Sequence, residues 1–319
     1  MGIIIGVLSG LLWGLNDVFT NIYSQMALSS STTIAIIVFA LFLSLMQDAF
    51  SSTAIFSYHA SRKQFNTHLR ATSAKSIWLL VLAAICAGPL GMVAGIAGIA
   101  YAGPIYAGVV TSCYPVVALI LSILFLRERP TRIKIIGIIL SVIAVIFISI
   151  AGERSGIENI TIGLIFAACA MLGWGMESVL FSLAAKCSDG APSWLLAIRQ
   201  SASALSYIIL LVVFTLYAPA VVQTVLLQLF VPMLIAACVI SASTSYLAYY
   251  HAIKRIGASL GTTFNASFIF WAGIFSILFN IASIHLSFVL WGAMLILGIY
   301  FATYGTVQRN RVGIALLKH

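Results

Sequence analysis

The sequence predicts an all-α membrane protein of ten transmembrane helices, arranged as two five-helix inverted repeats. Three observations predict it. Hydrophobic residues make up 62% of the 319 and charged residues 7%, where a soluble domain carries roughly a quarter charged residues. Apolar stretches of about 20 residues, the length that crosses a bilayer as a helix, recur ten times along the chain. The chain also repeats itself. Trp13-Gly14 returns as Trp174-Gly175, with Gly2, Leu11 and Val18 aligned to Gly163, Leu172 and Val179, and Ser122-Ile123-Leu124-Phe125 returns as Ser276-Ile277-Leu278-Phe279. Five spans per repeat is odd, so the second repeat enters the bilayer from the opposite side. That is the plan of many secondary transporters, with a site between the repeats near mid-membrane. The repeats are residues 1–151 and 152–319.

In order, the spans fall near 3–24, 32–50, 76–99, 105–126, 134–151, 160–184, 193–216, 228–251, 257–280 and 286–305. Met1 to Tyr23 lacks a basic n-region and a clear small-residue cleavage site, so it reads as a retained first span rather than a signal peptide. The longest polar segment, Ser51 to Lys75, carries Arg62, Lys63, Arg70 and Lys75. Arg127, Arg129, Arg132 and Lys134 lie between spans four and five. Lys186 follows span six, Lys254 and Arg255 follow span eight, and Arg309, Arg311 and Lys318 follow span ten. With ten spans all of these share one face, and only Arg154 falls in an opposite-side loop. This asymmetry places the basic face and both termini in the cytoplasm of an inner membrane. Basic loops beside an anionic leaflet account for the net charge of +9, and no nucleic-acid partner is expected. The five cysteines form no C-x-x-C pair and read as buried thiols, not disulfides or metal ligands.

Charge within a span costs about 2.5–3.5 kcal/mol on insertion scales, so it has a partner or faces water. Asp17, Glu177 and Arg199 stand out. Trp13, Asp17, Asn21 and Ser24 share one helical face, with Asn16 and Thr20 beside it. This stripe is either a cavity wall with a carboxylate for a cation or proton, or a face near the outer interface. Glu177 aligns with Asn16 in the repeat, and Arg199 lies at similar depth in the next span. Three readings are open for these two: a structural ion pair, a cytoplasmic gate, or Arg199 meeting a substrate carboxylate while Glu177 carries a proton. Span eight is rich in hydroxyls, with Tyr246, Tyr249 and Tyr250 at helical spacing, as cavity lining or interface anchors. Asn265 in span nine, Thr111 at the aligned place in span four, and Trp174 complete the candidate substrate-binding or coupling set. Gly88-Pro89, Gly103-Pro104 and Cys113-Tyr114-Pro115 interrupt helices, as packing kinks or as sources of free carbonyls. Glu128 reads as part of a solvated cluster with Arg127, Arg129 and Arg132. No P-loop, H-E-x-x-H or G-x-S-x-G is present, and neither cofactor, metal nor enzymatic activity is expected.

Pro115 opens an apolar run that ends in Phe125-Leu126-Arg127-Glu128-Arg129, and Thr131 and Gly137 precede a second run. This stretch, with Trp13-Gly14 and Asn16, resembles the EamA-type branch of the drug/metabolite transporter superfamily. In the second half Ile269 stands where Pro115 does and Ala282 where Glu128 does, so the resemblance is carried by the first. It implies ten helices, cytoplasmic termini, transport of small metabolites or drugs, often export, and a structural role for Glu128 as a latch.

The expected function is secondary transport of a small polar metabolite, an amino acid or related compound, exported by alternating access. Proton coupling through Asp17 or Glu177 is part of that expectation. A sugar or nucleoside symporter and a drug exporter are the rivals within transport, and a membrane-embedded lipid enzyme is the rival outside it. The expected partners are the substrate and membrane lipids, with the chain a monomer or homodimer.

Overall fold

The computed structural model describes residues 1–27, 32–150, 160–229, 231–281 and 286–316. Arg154 and Lys318 lie outside the described residues. Those that are described form helices α1 (Gly2–Ala27), α2 (Thr33–Ser61), α3 (Phe65–Ala71), α4 (Ala74–Ile85), a π-helical segment (Cys86–Val93), α5 (Ala94–Thr111), α6 (Tyr114–Leu126) and α7 (Arg132–Ile150). The second half contributes α8 (Ile160–Lys186), α9 (Pro192–Tyr217), α10 (Pro219–Gln228), α11 (Pro232–Ile256), α12 (Ala258–Ala266), α13 (Phe268–Leu278) and α14 (Leu286–Leu316). Among the described residues, 9 helical stretches are long and apolar enough to cross a membrane. The apolar α7, packed along α14, lies in the same bundle.

Local sequence sets the helix ends. Thr32 and Ser73 cap α2 and α4 by accepting from the backbone N–H of Ala35 and Ser76. Proline in the first turn opens α9, α10 and α11, where its missing N–H costs no helical bond. Gly257, at φ +87°, ends α11 after Lys254 and Arg255.

One expectation about segments changes. The polar stretch from Ser51 is not a loop: α2 runs on to Ser61, and α3 follows. Ser52, Ile55 and His59 are buried at helical spacing, so α2 keeps an inward face beyond the apolar window. Spans three and four remain two separate apolar stretches, Ala74–Gly98 and Val109–Leu126. Helical backbone continues through Ala94–Thr111, yet Ala102 packs against Gly163 while Tyr114 stands beside Trp174. Those two positions on α8 are roughly 16 Å apart at 1.5 Å per residue, so the chain reverses between Ala102 and Tyr114, where Gly103-Pro104 lies.

The halves interleave. The main helix pairs, α1 with α11, α2 with α9, α5 with α8 and α7 with α14, each take one member from either half. Small residues permit the close approach: Gly2, Gly6, Gly10 and Gly14 of α1 lie against α11, α12 and α13 with no space for a side chain. Two long stretches break midway, α5/α6 at Ser112–Cys113 and α12/α13 at Ser267. On the Ser-Ile-Leu-Phe alignment these breaks coincide, Tyr114 corresponding to Phe268. A buried core of Ile55, Leu80, Phe181, Trp194, Tyr250, Ile253 and Ala258 fills the basic end and draws on both halves.

Candidate functional site

Arg199 on α9 is the centre of the most consequential polar cluster. It is fully buried, at 0% exposure. Its Nη1 donates to Asp48 Oδ2 on α2 at 3.1 Å, and its Nη2 lies 2.7 Å from Glu177 Oε1 on α8. Gln200 donates to the other Asp48 oxygen at 3.2 Å, and the Tyr250 hydroxyl donates to Glu177 Oε1. The guanidinium also lies 5.1 Å from the Tyr246 ring centroid. One cation thus faces two carboxylates, all buried among α2, α8, α9 and α11. The expected Glu177–Arg199 contact is present. Since both of its charged ends are already engaged, Arg199 does not present itself to a substrate carboxylate here.

Sequence reasoning missed Asp48 and underrated Tyr250. Asp48 lies near the end of the apolar window of span two. The signal that finds it is the helical spacing of Asp48, Ser52, Ile55 and His59.

Tyr246 borders this cluster. Trp13 meets the Tyr246 ring edge-on at 5.0 Å. Trp13, Tyr246, Trp174 and Asn265 are all half-buried, and Asp17, one turn beyond Trp13, is exposed. The direction of that exposure follows from its neighbours. Trp13 on one flank packs against α11, and Gly10 and Gly14 on the other pack against α12 and α13. A side chain between them, at 100° per residue, points into the space between α11 and α12–α13.

The remaining candidates are placed differently. Asn16 is buried and accepts from Gln47 at 3.0 Å and Ser241 at 3.3 Å, tying α1 to α2 and α11. Asn265 accepts from the Tyr114 hydroxyl at 3.1 Å and donates to Ser9 at 3.2 Å. It thereby joins α6, which begins at one of the aligned breaks, to α12, which ends at the other. Thr111 donates back to the Ala107 carbonyl at 2.9 Å. Tyr249 is a core residue, edge-on to Tyr250 at 5.3 Å. Trp174 packs on Gly91 of the π-helical segment, which also contains Pro89, so the expected Gly88-Pro89 interruption shapes the Trp174 seat.

At the basic end, Glu128 does not pair with Arg127, Arg129 or Arg132. Its Oε2 meets Lys134 at 3.1 Å and accepts from Ser259 at 2.9 Å, linking the α6–α7 connection to α12. Arg127 ends α6 at a left-handed φ of 55°, and the backbone N–H of Glu128 donates back to the Ser122 carbonyl at 3.1 Å.

Comparison with known proteins agrees with this architecture. Residues 1–150 match the model of the EamA-like transporter family. The chain is 27% identical over 274 residues to Protein LicB of Haemophilus influenzae, covering 85% of this chain and 86% of that protein. A crystal structure of a protein with 15% identity superposes with a TM-score of 0.70, over 96% of this chain and 98% of that one, and shares the fold. The apolar spanning helices and the match over residues 1–150 agree: this is a multi-pass membrane protein whose first half is similar to the EamA-like transporter family.

Proposed function

We propose that this protein is a ten-span secondary transporter of the inner membrane that moves a small polar metabolite by alternating access. The observation that carries the reading is the buried charge cluster of Asp48, Glu177 and Arg199, bordered by Tyr246 and Trp13, with the exposed carboxylate of Asp17 one turn beyond Trp13. An exposed carboxylate among aromatic walls suits a compound with an amine, such as an amino acid. The aligned breaks near Tyr114 and Phe268 fit the discontinuous helices that surround transporter sites.

The Arg199 cluster is the cytoplasmic seal in this reading. α9 packs extensively on α2, whereas α8 packs on α4, the π-helical segment, α5 and α6 and touches α9 only lightly. Separation of α8 from α9 breaks the contact of Arg199 with Glu177 and leaves its contact with Asp48. Asp17 couples transport to a proton or to the cation of the cargo, and the net direction is outward.

The test is a resistance screen. Cells that overexpress the protein are challenged with a panel of amino acids, amines and toxic analogues. Protection from one compound class, lost on Arg199→Gln at matched protein level, supports the reading. Sensitisation shows import, and no change across the panel in either direction counts against small-metabolite transport.

A further inference from the structure

Between Asp48 and Glu128 the chain holds no acidic residue. The start of that stretch builds a collar at the basic end. α2 is 29 residues long, about 43 Å at 1.5 Å per residue, against a hydrocarbon core of about 30 Å. Its last turns, α3 and the start of α4 therefore stand at headgroup level.

The collar has two faces. Its inner face grips Trp194, near the start of α9. Phe56, Phe65 and His59 meet the Trp194 ring edge-on at 5.0, 4.9 and 5.8 Å, and His68 stacks on it at 5.7 Å. The Trp194 indole donates to Thr72 at 3.0 Å, and Ser73 donates to the Cys187 carbonyl at 2.8 Å. The outer face carries Arg62, Lys63, Arg70 and Lys75, all exposed. Interleaved with them are Tyr58 at 55%, Leu69 at 50% and Trp78 at 69% exposure. Arg62 lies 5.6 Å from the Tyr58 ring centroid. The nearest acid along the docked surface is the exposed Asp189, whose backbone N–H donates to Ala71.

We infer that the outer face of this collar binds the headgroups of anionic phospholipids in the adjoining leaflet. The chemistry matches part by part. A lipid phosphodiester accepts charge-assisted hydrogen bonds from guanidinium and ammonium groups. Exposed tyrosine and tryptophan belong at the boundary of headgroup and acyl chain, and four cations outnumber the one acid, Asp189, that docks beside them. A lipid held there presses the collar onto Trp194 and so steadies the end of α9 that leads to Arg199. The inference rests on the proposed topology, with the basic end at the anionic leaflet. Its test reads lipid binding without transport, so either can fail alone.

The full chain is reconstituted in phosphatidylcholine vesicles with trace spin-labelled phosphatidylglycerol or spin-labelled phosphatidylcholine. The motionally restricted fraction gives the relative association of each. The parent protein is expected to favour phosphatidylglycerol about fivefold or more, as one or more well-placed basic residues would give. Arg62→Gln, Lys63→Gln, Arg70→Gln and Lys75→Gln together should bring the ratio close to one. Arg127→Gln, Arg129→Gln and Arg132→Gln together remove exposed charge elsewhere on the same end and should leave it largely intact. Arg62→Lys with Arg70→Lys keeps the charge, and its retained preference shows that loss in the Gln variant is electrostatic and not a folding defect. Equal loss in the collar and control variants would mean diffuse attraction and overturn the proposal. So would displacement of the labelled lipid by inorganic phosphate, which would mark a soluble-anion site.

Discussion

Arg199→Gln should be the most damaging single substitution in the charge cluster, and the order of its neighbours follows from the contacts. Removing the guanidinium strands both Asp48 and Glu177, each buried. Breaking a buried pair by deleting one partner costs about 3–5 kcal/mol, and here two carboxylates lose the same cation. Asp48→Asn removes the charge that holds Arg199 at 3.1 Å and weakens the bond from Gln200. Glu177→Gln keeps an amide oxygen to accept from Tyr250 and leaves Arg199 on Asp48. Losing a hydrogen bond to a charged group costs about 1.5–3 kcal/mol, so Glu177→Gln should fall at or below that range, with Asp48→Asn between the two. Combining Arg199→Gln with Glu177→Gln removes one stranded carboxylate and should restore part of the loss. The assay is the fraction of protein that stays monodisperse after heating in one detergent, read by gel filtration. If Glu177→Gln proves as harmful as Arg199→Gln, or if the double variant shows the sum of the single losses, the cluster is not held by this arginine.

Asp17→Asn should insert normally and exchange substrate across vesicle membranes, but it should fail to concentrate substrate under an imposed proton gradient; concentration equal to the parent would reduce Asp17 to a polar wall residue. Gly257→Ala should lower heat stability by about 1–2 kcal/mol, since it strains the φ of +87° and sets a Cβ 3.0 Å from Glu128 Oε1; stability equal to the parent would show that the α11–α12 joint yields freely. A cysteine placed at Arg62 should resist impermeant thiol reagents in intact spheroplasts and react after lysis, and labelling before lysis would reverse the assigned topology.

Most of the fold was legible because a bilayer demands long apolar helices, and little else in a sequence produces windows of that length. The interruptions were also legible, since proline and glycine act locally: Gly88-Pro89 became a π-helical segment, and Cys113-Tyr114-Pro115 became the α5/α6 break. Helix ends were less so. The apolar window of span two closes at Phe50, yet α2 continues because Ser52, Ile55 and His59 face protein and not lipid. Hydropathy sums over both faces of a helix and cannot register a stripe that is polar outside and buried inside. The same blindness hid Asp48. Glu177 and Arg199 were conspicuous because each lies well inside an apolar run, whereas Asp48 lies near the end of one. Tyr249 failed for another reason. Spacing places it on a face with Tyr246, but which neighbour a face meets is a property of the packed bundle. There Tyr246 meets Trp13 and the Arg199 guanidinium, and Tyr249 the core.

The presence of two acids for one arginine bears on how the seal could open. A lone Glu177–Arg199 pair would strand a buried cation whenever α8 moved from α9, and that cost would hold the gate shut. Asp48 changes the balance. It sits on α2, the helix that packs most closely with α9, so it travels with Arg199 and stays bonded to it. Glu177, on the far side, keeps the Tyr250 hydroxyl as a partner only while α8 remains near α11. Opening then exposes one carboxylate to incoming water, where its charge is solvated, and leaves the arginine neutralised. In the closed state the third charge is an extra carboxylate, tolerated through the hydrogen bonds of Gln200 and Tyr250. On this argument Asp48 sets the stability of the protein and Glu177 the position of its gate. Asp48→Asn should therefore lower folded yield, whereas Glu177→Gln should chiefly alter access of impermeant reagents to a cysteine at Ser203, the buried residue beside the cluster.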